Sequence, residues 1–283
     1  MKIKQSRPLS FIAVAVIYVI AAAAGIAVYK VLDLPFWLAL LIADAAATVV
    51  TFIFSLIFDN ASVYDPYWSV QPIFILMMYA SGRELTALGV LLLAAVWFWG
   101  VRLTANWAYT FHGLTHQDWR YTMLCEKTGR FYPVINFVGI HLVPTLVVYA
   151  CTLPAVFAVR EGAPVTAGSV IFICVSFAAV IIQGTADVEM HIFHKRGCTG
   201  FIRDGLWKYA RHPNYLGEIS MWWGIGLSVV CAMPERWYLL AGALANTLLF
   251  SFVSIPMAEG KQSKKPGYAE YRKQTRVLLP IKK

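Results

Sequence analysis

A handful of polar side chains sit where an otherwise apolar sequence has little reason to put them. Gln183, Asp187, His191 and His194 follow one another at steps of four, four and three residues, which predicts one face of a single helix. The run RHPNYLGE, residues 211–218, then opens another helix. Pro213 suits the first helical position, and Asn214 and Glu218, four apart, share a face. Between the two lies GCTGFIRDGLWKYA, with Gly197, Gly200 and Gly205 and the cations Arg203 and Lys208. Arginines, a lysine and His212 beside a fresh helix N-terminus suit an anion, above all phosphate. Asn214 and Glu218 can pair with amide and hydroxyl groups, and Trp207, Tyr209 and Tyr215 can stack on a flat base. Together they predict a dinucleotide lying across a helix bundle. No GxGxxG follows a strand, so a Rossmann domain is excluded.

The elements that must position these groups are membrane helices. Of the 283 residues, 59% are hydrophobic and 14% charged, with a mean hydropathy of +0.62; a soluble domain carries about 25% charged residues. Apolar stretches at Leu9–Val28, Pro35–Phe58, Ala87–Trp107, Pro133–Val159 and Val165–Ile182 reach or approach the roughly 20 residues that cross a bilayer. Two further spans are expected at about Tyr215–Ala232 and Glu235–Met257. The first run is too long for a signal-peptide core of about 7–15 residues and reads as a retained helix. Ser69–Ala80, with Pro72 near its start, is short for a crossing. The expected fold is therefore an all-α polytopic transmembrane bundle of seven to eight helices, with eight slightly favoured. It forms a single domain over 1–283 whose cofactor-binding half is about 183–280.

Charge and cysteine usage narrow the function. The formal net charge is +9, and 19 of the 24 Lys and Arg fall in residues 1–7, the loops 111–132 and 195–211, and the tail 261–283. The positive-inside rule puts these segments in the cytoplasm, with attraction to anionic lipid, and nucleic acid is not needed to explain them. A re-entrant Ser69–Ala80 would instead leave the N-terminus outside. Cys125, Cys151, Cys174, Cys198 and Cys231 are scattered without a CxxC pair, so neither a disulfide framework nor a cysteine metal site is expected. An ionisable group such as Glu218 inside an apolar helix costs about 2.5–3.5 kcal/mol on insertion scales and calls for a function.

The run GLWKYARHPNYLGEISMWWG is similar to the cofactor motif of the membrane steroid 5α-reductases and intramembrane sterol reductases. The tail KKPGYAEYRKQTRVLLP resembles the same family's C-terminus, and NASVYDPYWSV and HQDWRY look like motifs of its bacterial branch. The resemblance implies NADPH as cofactor, held by Gln183, Asp187, Arg203, Tyr209, Arg211, His212, Asn214 and Glu218. His191 and His194 stand where the animal enzymes tend to carry arginines, and they join the expected set. The five cations of 195–211 lead to the expectation that NADPH is preferred over NADH through its 2′-phosphate. The implied reaction is reduction of the Δ4 double bond of a 3-oxo-Δ4 steroid or similar flat enone. Hydride would come from NADPH between the 183–194 and 214–218 faces, with an acid on the carbonyl oxygen.

Pro66 matches a proline that follows the family's catalytic acidic residue. By that register Tyr64 takes the acid's place with Asp65 beside it, and the two are the expected catalytic pair. Arg102 either snorkels to the interface or, with Asn106 four residues on, faces the site. Trp68, Trp97, Trp99 and Trp107 either pack helices or line a flat substrate pocket, with Trp68 and Trp99 the expected contacts. No metal is expected. The protein is expected to be monomeric in a bacterial inner membrane, with the cofactor loops and C-terminus cytoplasmic.

Two rival activities have some support in the sequence. Isoprenylcysteine carboxyl methyltransferases share an RHPxYxG-type turn and a basic tail and would use S-adenosylmethionine; Asn214, Glu218, Gln183 and Asp187 favour the reductase. A di-iron oxidase could use the spacings of His112/His116 and His191/His194, but His141 sits in a span and His212 belongs to the anion site.

Overall fold

In a computed structural model, which describes residues 2–280, the chain is about 80% helical, and no strand forms among the described residues. Prolines and glycines punctuate the apolar runs. Helix α1, Arg7–Val31, starts with Pro8 in its first turn and ends before the break at 32–35; α2, Phe36–Ile57, starts directly after Pro35. The two pack through small residues. A Cβ on Gly25 would lie 3.1 Å from the carbonyl oxygen of Ala43, while Ala21, Ala43 and Ala47 are buried. Their outer faces carry exposed Ile12, Val16, Val19, Val49, Ile53 and Leu56. Only a hydrocarbon solvent makes that arrangement stable.

Helix α3, Tyr67–Ala80, has 14 residues. At about 1.5 Å per residue it is roughly 21 Å long against a hydrocarbon core of about 30 Å. Among the described residues, seven helices are accordingly long and apolar enough to cross a membrane, and the eighth span favoured from the sequence is not among them. Helix α4, Ala87–Thr110, follows. The polar segment expected as a loop to residue 132 folds partly as α5, Trp119–Thr128, capped by Asp118, whose Oδ1 accepts the Arg120 N–H at 2.8 Å. Gly129 breaks it at φ +50°. A π-helical segment, Asn136–Leu142, then leads into α6, Val143–Glu161.

Helix α7, Ala167–Lys195, is opened by a reciprocal capping box between Thr166 and Ser169. It runs on past its apolar stretch, so the polar face at 183–194 is a continuation of a membrane span. Helix α8, Pro213–Ala232, is followed by α9, Pro234–Gln262, which carries a π-helical stretch at Phe250–Ser254, and by the short α10, Tyr268–Gln274. Lys282 and Lys283, counted in the basic tail, lie outside the described residues.

The chain divides into two compact units. The first comprises residues 1–74 and 103–153, centred on α1, α2 and the 59–66 and 111–121 segments. The second comprises 75–102 and 154–283, built on the pairing of α7 with α8.

That pairing depends on two missing side chains. A Cβ on Gly217 would come within 2.6 Å of the Ala179 carbonyl oxygen, and one on Gly224 within 2.7 Å of the Phe172 carbonyl oxygen. Both obstacles are backbone and cannot rotate away. The contact is sealed by the Ser176 hydroxyl, which donates to the Met221 carbonyl at 3.0 Å. Such close approach is how membrane helices gain packing energy without a hydrophobic driving force. Gly217→Ala and Gly224→Ala should each destabilise the protein by about 1–3 kcal/mol, the usual cost of overpacking. Thermal unfolding of the purified variants measures this, and wild-type melting of both would contradict the close approach.

Candidate functional site

The tight α7–α8 seam brings Gln183 and Glu218 together inside the membrane-spanning region. Glu218 is buried, and its carboxylate accepts three N–H donors: Gln183 Nε2 at 2.6 Å and Trp99 Nε1 at 2.8 Å on Oε2, and Trp222 Nε1 at 2.8 Å on Oε1. Trp99 and Trp222 meet edge-to-face with ring centroids 4.8 Å apart. One turn along α7, Asp187 pairs with Arg102 of α4 at 2.6 Å, and Asn214 lies within hydrogen-bonding reach of Asp187. Arg102 reaches Asp187 across Gly184, where a Cβ would lie 3.1 Å from its Cδ. A larger residue at 184 would block that path.

The polar nest is not closed. Nε and Nη2 of Arg102 and Oε1 of Gln183 are buried without a hydrogen-bond partner. Buried polar groups are nearly always satisfied, and each orphan costs about 1–3 kcal/mol. Two idle donors and one idle acceptor match a carboxamide, whose carbonyl accepts and whose amino group donates. Arg102 thus lies within α4, paired with Asp187. Trp99 serves as a donor to Glu218, which sequence spacing could not distinguish from helix packing.

Towards the end of α7, His191 is half-buried and His194 exposed, followed by exposed Lys195, Arg196, Arg203 and Lys208. The Arg203 guanidinium lies 5.6 Å from the centre of the Phe201 ring, and Tyr209 is exposed. Glu189 accepts the Leu206 N–H at 2.9 Å, and the Trp207 indole donates to the Ala186 carbonyl at 3.1 Å, so the loop is tied back onto its own helix.

Arg211 and His212 were expected to face an anion, and the structure gives them a different partner. Both are buried. Arg211 Nε at 2.9 Å, His212 Nε2 at 2.8 Å and the Tyr268 hydroxyl at 2.7 Å converge on Oε1 of Glu259. Arg211 also donates to the carbonyl of Thr275, and the Tyr271 hydroxyl donates to that of Trp207. The backbone N–H groups of Arg211 and His212 donate to Arg276 and Val277 at 2.9 and 3.0 Å, around an isolated parallel bridge between Ala210 and Arg276. The basic tail is therefore a clasp on the RHP turn. Burial and the neighbouring Glu259 push the phenol of Tyr268 above its ordinary range. Glu259, in the run PMAEGK, was missed in the sequence, although an acidic residue among so many cations is a visible signal.

In the first unit, the two motifs NASVYDPYWSV and HQDWRY meet. Asn60 Nδ2 donates to the carbonyls of Leu114 and His116 at 2.7 and 2.9 Å, the Ala61 N–H to Gln117 at 2.9 Å, and the Tyr121 hydroxyl to Asp65 Oδ1 at 2.7 Å. Burial raises the Asp65 carboxyl to about 6 despite the Tyr121 hydrogen bond. Tyr64 is buried, and burial raises its phenol well above the ordinary range. Its hydroxyl meets Thr145 Oγ1 at 2.8 Å, Thr145 meets Thr48 at 3.0 Å, and Thr48 donates to the Asp44 carbonyl at 2.9 Å. One proton per hydroxyl fixes the direction of this chain, so Tyr64 donates to Thr145. Of the expected catalytic pair, Tyr64 is thus engaged by Thr145, and Asp65 by Tyr121. Trp68 packs against the cluster formed by Ala21, Ala47, Tyr64 and Tyr67, and Asn106 is half-buried in α4.

Asp44 was also missed. It is buried in α2 and accepts the Tyr67 hydroxyl at 2.9 Å and Gln71 Nε2 at 2.6 Å. A lone acidic residue within LIADAAATVV is itself the signal that would have found it.

Glu218→Gln should lower stability by about 1–3 kcal/mol even without any ligand, because one acceptor oxygen cannot serve three N–H donors arriving from both sides. Glu218→Leu should cost more, since it strands all three donors. Unfolding of ligand-free protein tests this; an unchanged Glu218→Gln melt would show that the carboxylate is not what organises the two indoles.

No group of three or more metal-ligating side chains gathers among the described residues. No curated protein and no solved structure matches the chain. The family described as Protein of unknown function (DUF1295) matches it over residues 51–275, a stretch that takes in both loop motifs, the Glu218 nest and nearly all of the tail clasp, and the chain belongs to that family.

Proposed function

We propose that this integral membrane protein is an NADPH-dependent reductase of a carbon–carbon double bond conjugated to a carbonyl, in a flat, membrane-dissolved, steroid-like molecule. The observation that carries the reading is the unfinished polar nest of Arg102, Gln183, Asp187 and Glu218. Its idle donors and acceptor suit the carboxamide of a nicotinamide ring, and the exposed cations Lys195, Arg196, Arg203 and Lys208 suit the phosphates. The resemblance of 205–224 and of the tail to the steroid 5α-reductases supports the same reading. NADPH, when bound, supplies the hydride.

The roles of the chain's own residues follow. Glu218 fixes the side chain of Gln183 and the two indoles. Asp187 holds Arg102 so that its remaining N–H groups face the nest. The Glu259 clasp keeps the RHP turn in place at the start of α8. Asp65 is the acid of this reading, and Tyr121 orients its carboxyl. The exposed apolar faces of the spans admit a substrate that partitions into lipid. This assigns Arg211 and His212 a positioning role, in place of the direct phosphate contact implied by the resemblance.

The test is reduction of a 3-oxo-Δ4 steroid by purified protein, followed as NADPH oxidation across a pH series. Asp65, with its carboxyl raised to about 6, is protonated below that pH, so kcat/KM should fall as pH rises through about 6. The fold should also lose stability over the same rise, because the folded chain holds that proton where the unfolded chain has released it. Asp65→Asn should lower turnover at least about 100-fold and abolish the pH limb. Methyl transfer from S-adenosylmethionine with no NADPH oxidation would replace this reading with the methyltransferase one.

A further inference from the structure

Glu189 stands two residues beyond Asp187 on α7, about 200° round the helix and so off the face that forms the nest. Its carboxylate accepts the backbone N–H of Leu206, at 2.9 Å on Oε2 and 3.2 Å on Oε1. The carboxylate lies so close against the loop that a Cβ on Gly205 would come within 2.0 Å of Oε1 and 2.3 Å of Cδ. Gly205 is also at φ +58°, a left-handed conformation that side chains disfavour. Glycine at 205 therefore lets the loop both turn there and receive the carboxylate. A half-buried acid thus meets a neutral backbone donor, in a stretch of chain that exposes Lys195, Arg196, Arg203 and Lys208.

The loop that carries Arg203 and Lys208 is held to α7 by apolar and polar contacts. Ile202 and Trp207 are buried with Ala186, and Met190, Phe193 and Leu206 pack against them. The Trp207 indole adds its hydrogen bond to the Ala186 carbonyl at 3.1 Å. Arg203 directly follows Ile202 and Lys208 directly follows Trp207, so each cation emerges next to a buried anchor. Residues 186, 190 and 193 each precede by one a member of the face at 187, 191 and 194, about 100° round the helix. The cations therefore come out alongside that face. Apolar contact resists withdrawal of the loop but has no direction. The hydrogen bond from Leu206 to Glu189, between the two cations in sequence, is directional.

We propose that Glu189 is the positioning residue for the nucleotide's 2′-phosphate: by fixing Leu206 it holds Arg203 and Lys208 where that phosphate meets them, and so sets the preference for NADPH over NADH. The inference rests on the NADPH reading above and names a residue that the resemblance leaves out. Exposed charges gain only about 0–1 kcal/mol from a partner when long side chains must be ordered in the act of binding. A loop fixed beforehand loses less freedom at that step. On charge alone, a carboxylate near a phosphate weakens its binding. The two effects have opposite signs, and a neutral acceptor separates them. Glutamine keeps the hydrogen bond without the charge, whereas alanine loses both.

The test titrates the purified full-length protein with NADPH and with NADH, reading affinity from the rise in thermal unfolding temperature. Glu189→Gln should keep the wild-type ratio of the two affinities or raise it. Glu189→Ala should cut that ratio about tenfold relative to Glu189→Gln, with the affinity for NADH unchanged. Glu189→Leu, which keeps the bulk and offers no acceptor, makes the same comparison should Glu189→Ala fail to fold. In parallel, trypsin acting on nucleotide-free protein should cut after Arg203 or Lys208 faster in Glu189→Ala than in wild type or Glu189→Gln. Equal losses for both nucleotides would show that Glu189 only supports the fold, and overturn the proposal. It is overturned equally by a ratio that Glu189→Ala leaves intact, by a Glu189→Gln variant that behaves like alanine, or by equal cutting of all three proteins. Equal wild-type affinity for NADPH and NADH removes this role and leaves the reductase reading standing; wild-type protein that binds neither nucleotide ends both.

Discussion

One carboxylate in a membrane-spanning helix constrains the whole second unit. Glu218 cannot be left bare among apolar helices, and its three partners come from three different elements: Trp99 from α4, Gln183 from α7 and Trp222 from α8 itself. Satisfying it therefore fixes the register of three helices at once. Gly217, one residue before it, and Gly224 permit the close approach without which Gln183 could not reach. The ion pair of Arg102 with Asp187 lies one turn away on the same face, and Gly184 gives it room. Packing and polar chemistry thus impose the same geometry on α7 and α8. That agreement is why the nest can be rigid and still contain buried groups without a hydrogen-bond partner.

The tail contributes a second constraint of the same kind. Glu259 gathers Arg211, His212 and Tyr268 on a single oxygen, and the backbone bridge from Ala210 to Arg276 locks the turn that starts α8. A cluster of cations on the sequence suggests an anion from outside. Here part of that charge is answered by the chain's own carboxylate, while Arg203 and Lys208 stay exposed. The loop joint of the first unit follows the same logic, with Asn60, Gln117 and Tyr121 tying two polar segments together at residues 60–65 and 114–121.

The helical content and the long spans could be read from hydropathy because a bilayer tolerates little else. The face shared by Gln183, Asp187 and His191 could be read because helical spacing depends only on sequence distance. What could not be read was pairing over long separations. Nothing local says that Trp99 should meet Glu218, or that Arg102 should cross Gly184 to Asp187. Arg211 and Glu259 are likewise 48 residues apart. Ser69–Ala80 was ambiguous because length and hydropathy pointed to different answers, and the 14-residue helix resolved it in favour of length. Asp44 was legible and overlooked, since a single acidic residue in an apolar run is the same signal that singled out Glu218.

The central claim is that the nest at Arg102, Gln183 and Glu218 receives the nicotinamide end of NADPH. The most direct measurement is energy transfer from the indoles of Trp99 and Trp222 to the reduced nicotinamide during a titration of purified protein. The account predicts saturable transfer with NADPH, tighter than with NADH. It also predicts that Trp99→Phe and Trp222→Phe together remove most of the signal, and that Arg102→Met weakens the affinity without unfolding the protein. Saturable binding of S-adenosylmethionine with no transfer from NADPH, or transfer that is indifferent to all three substitutions, would contradict it.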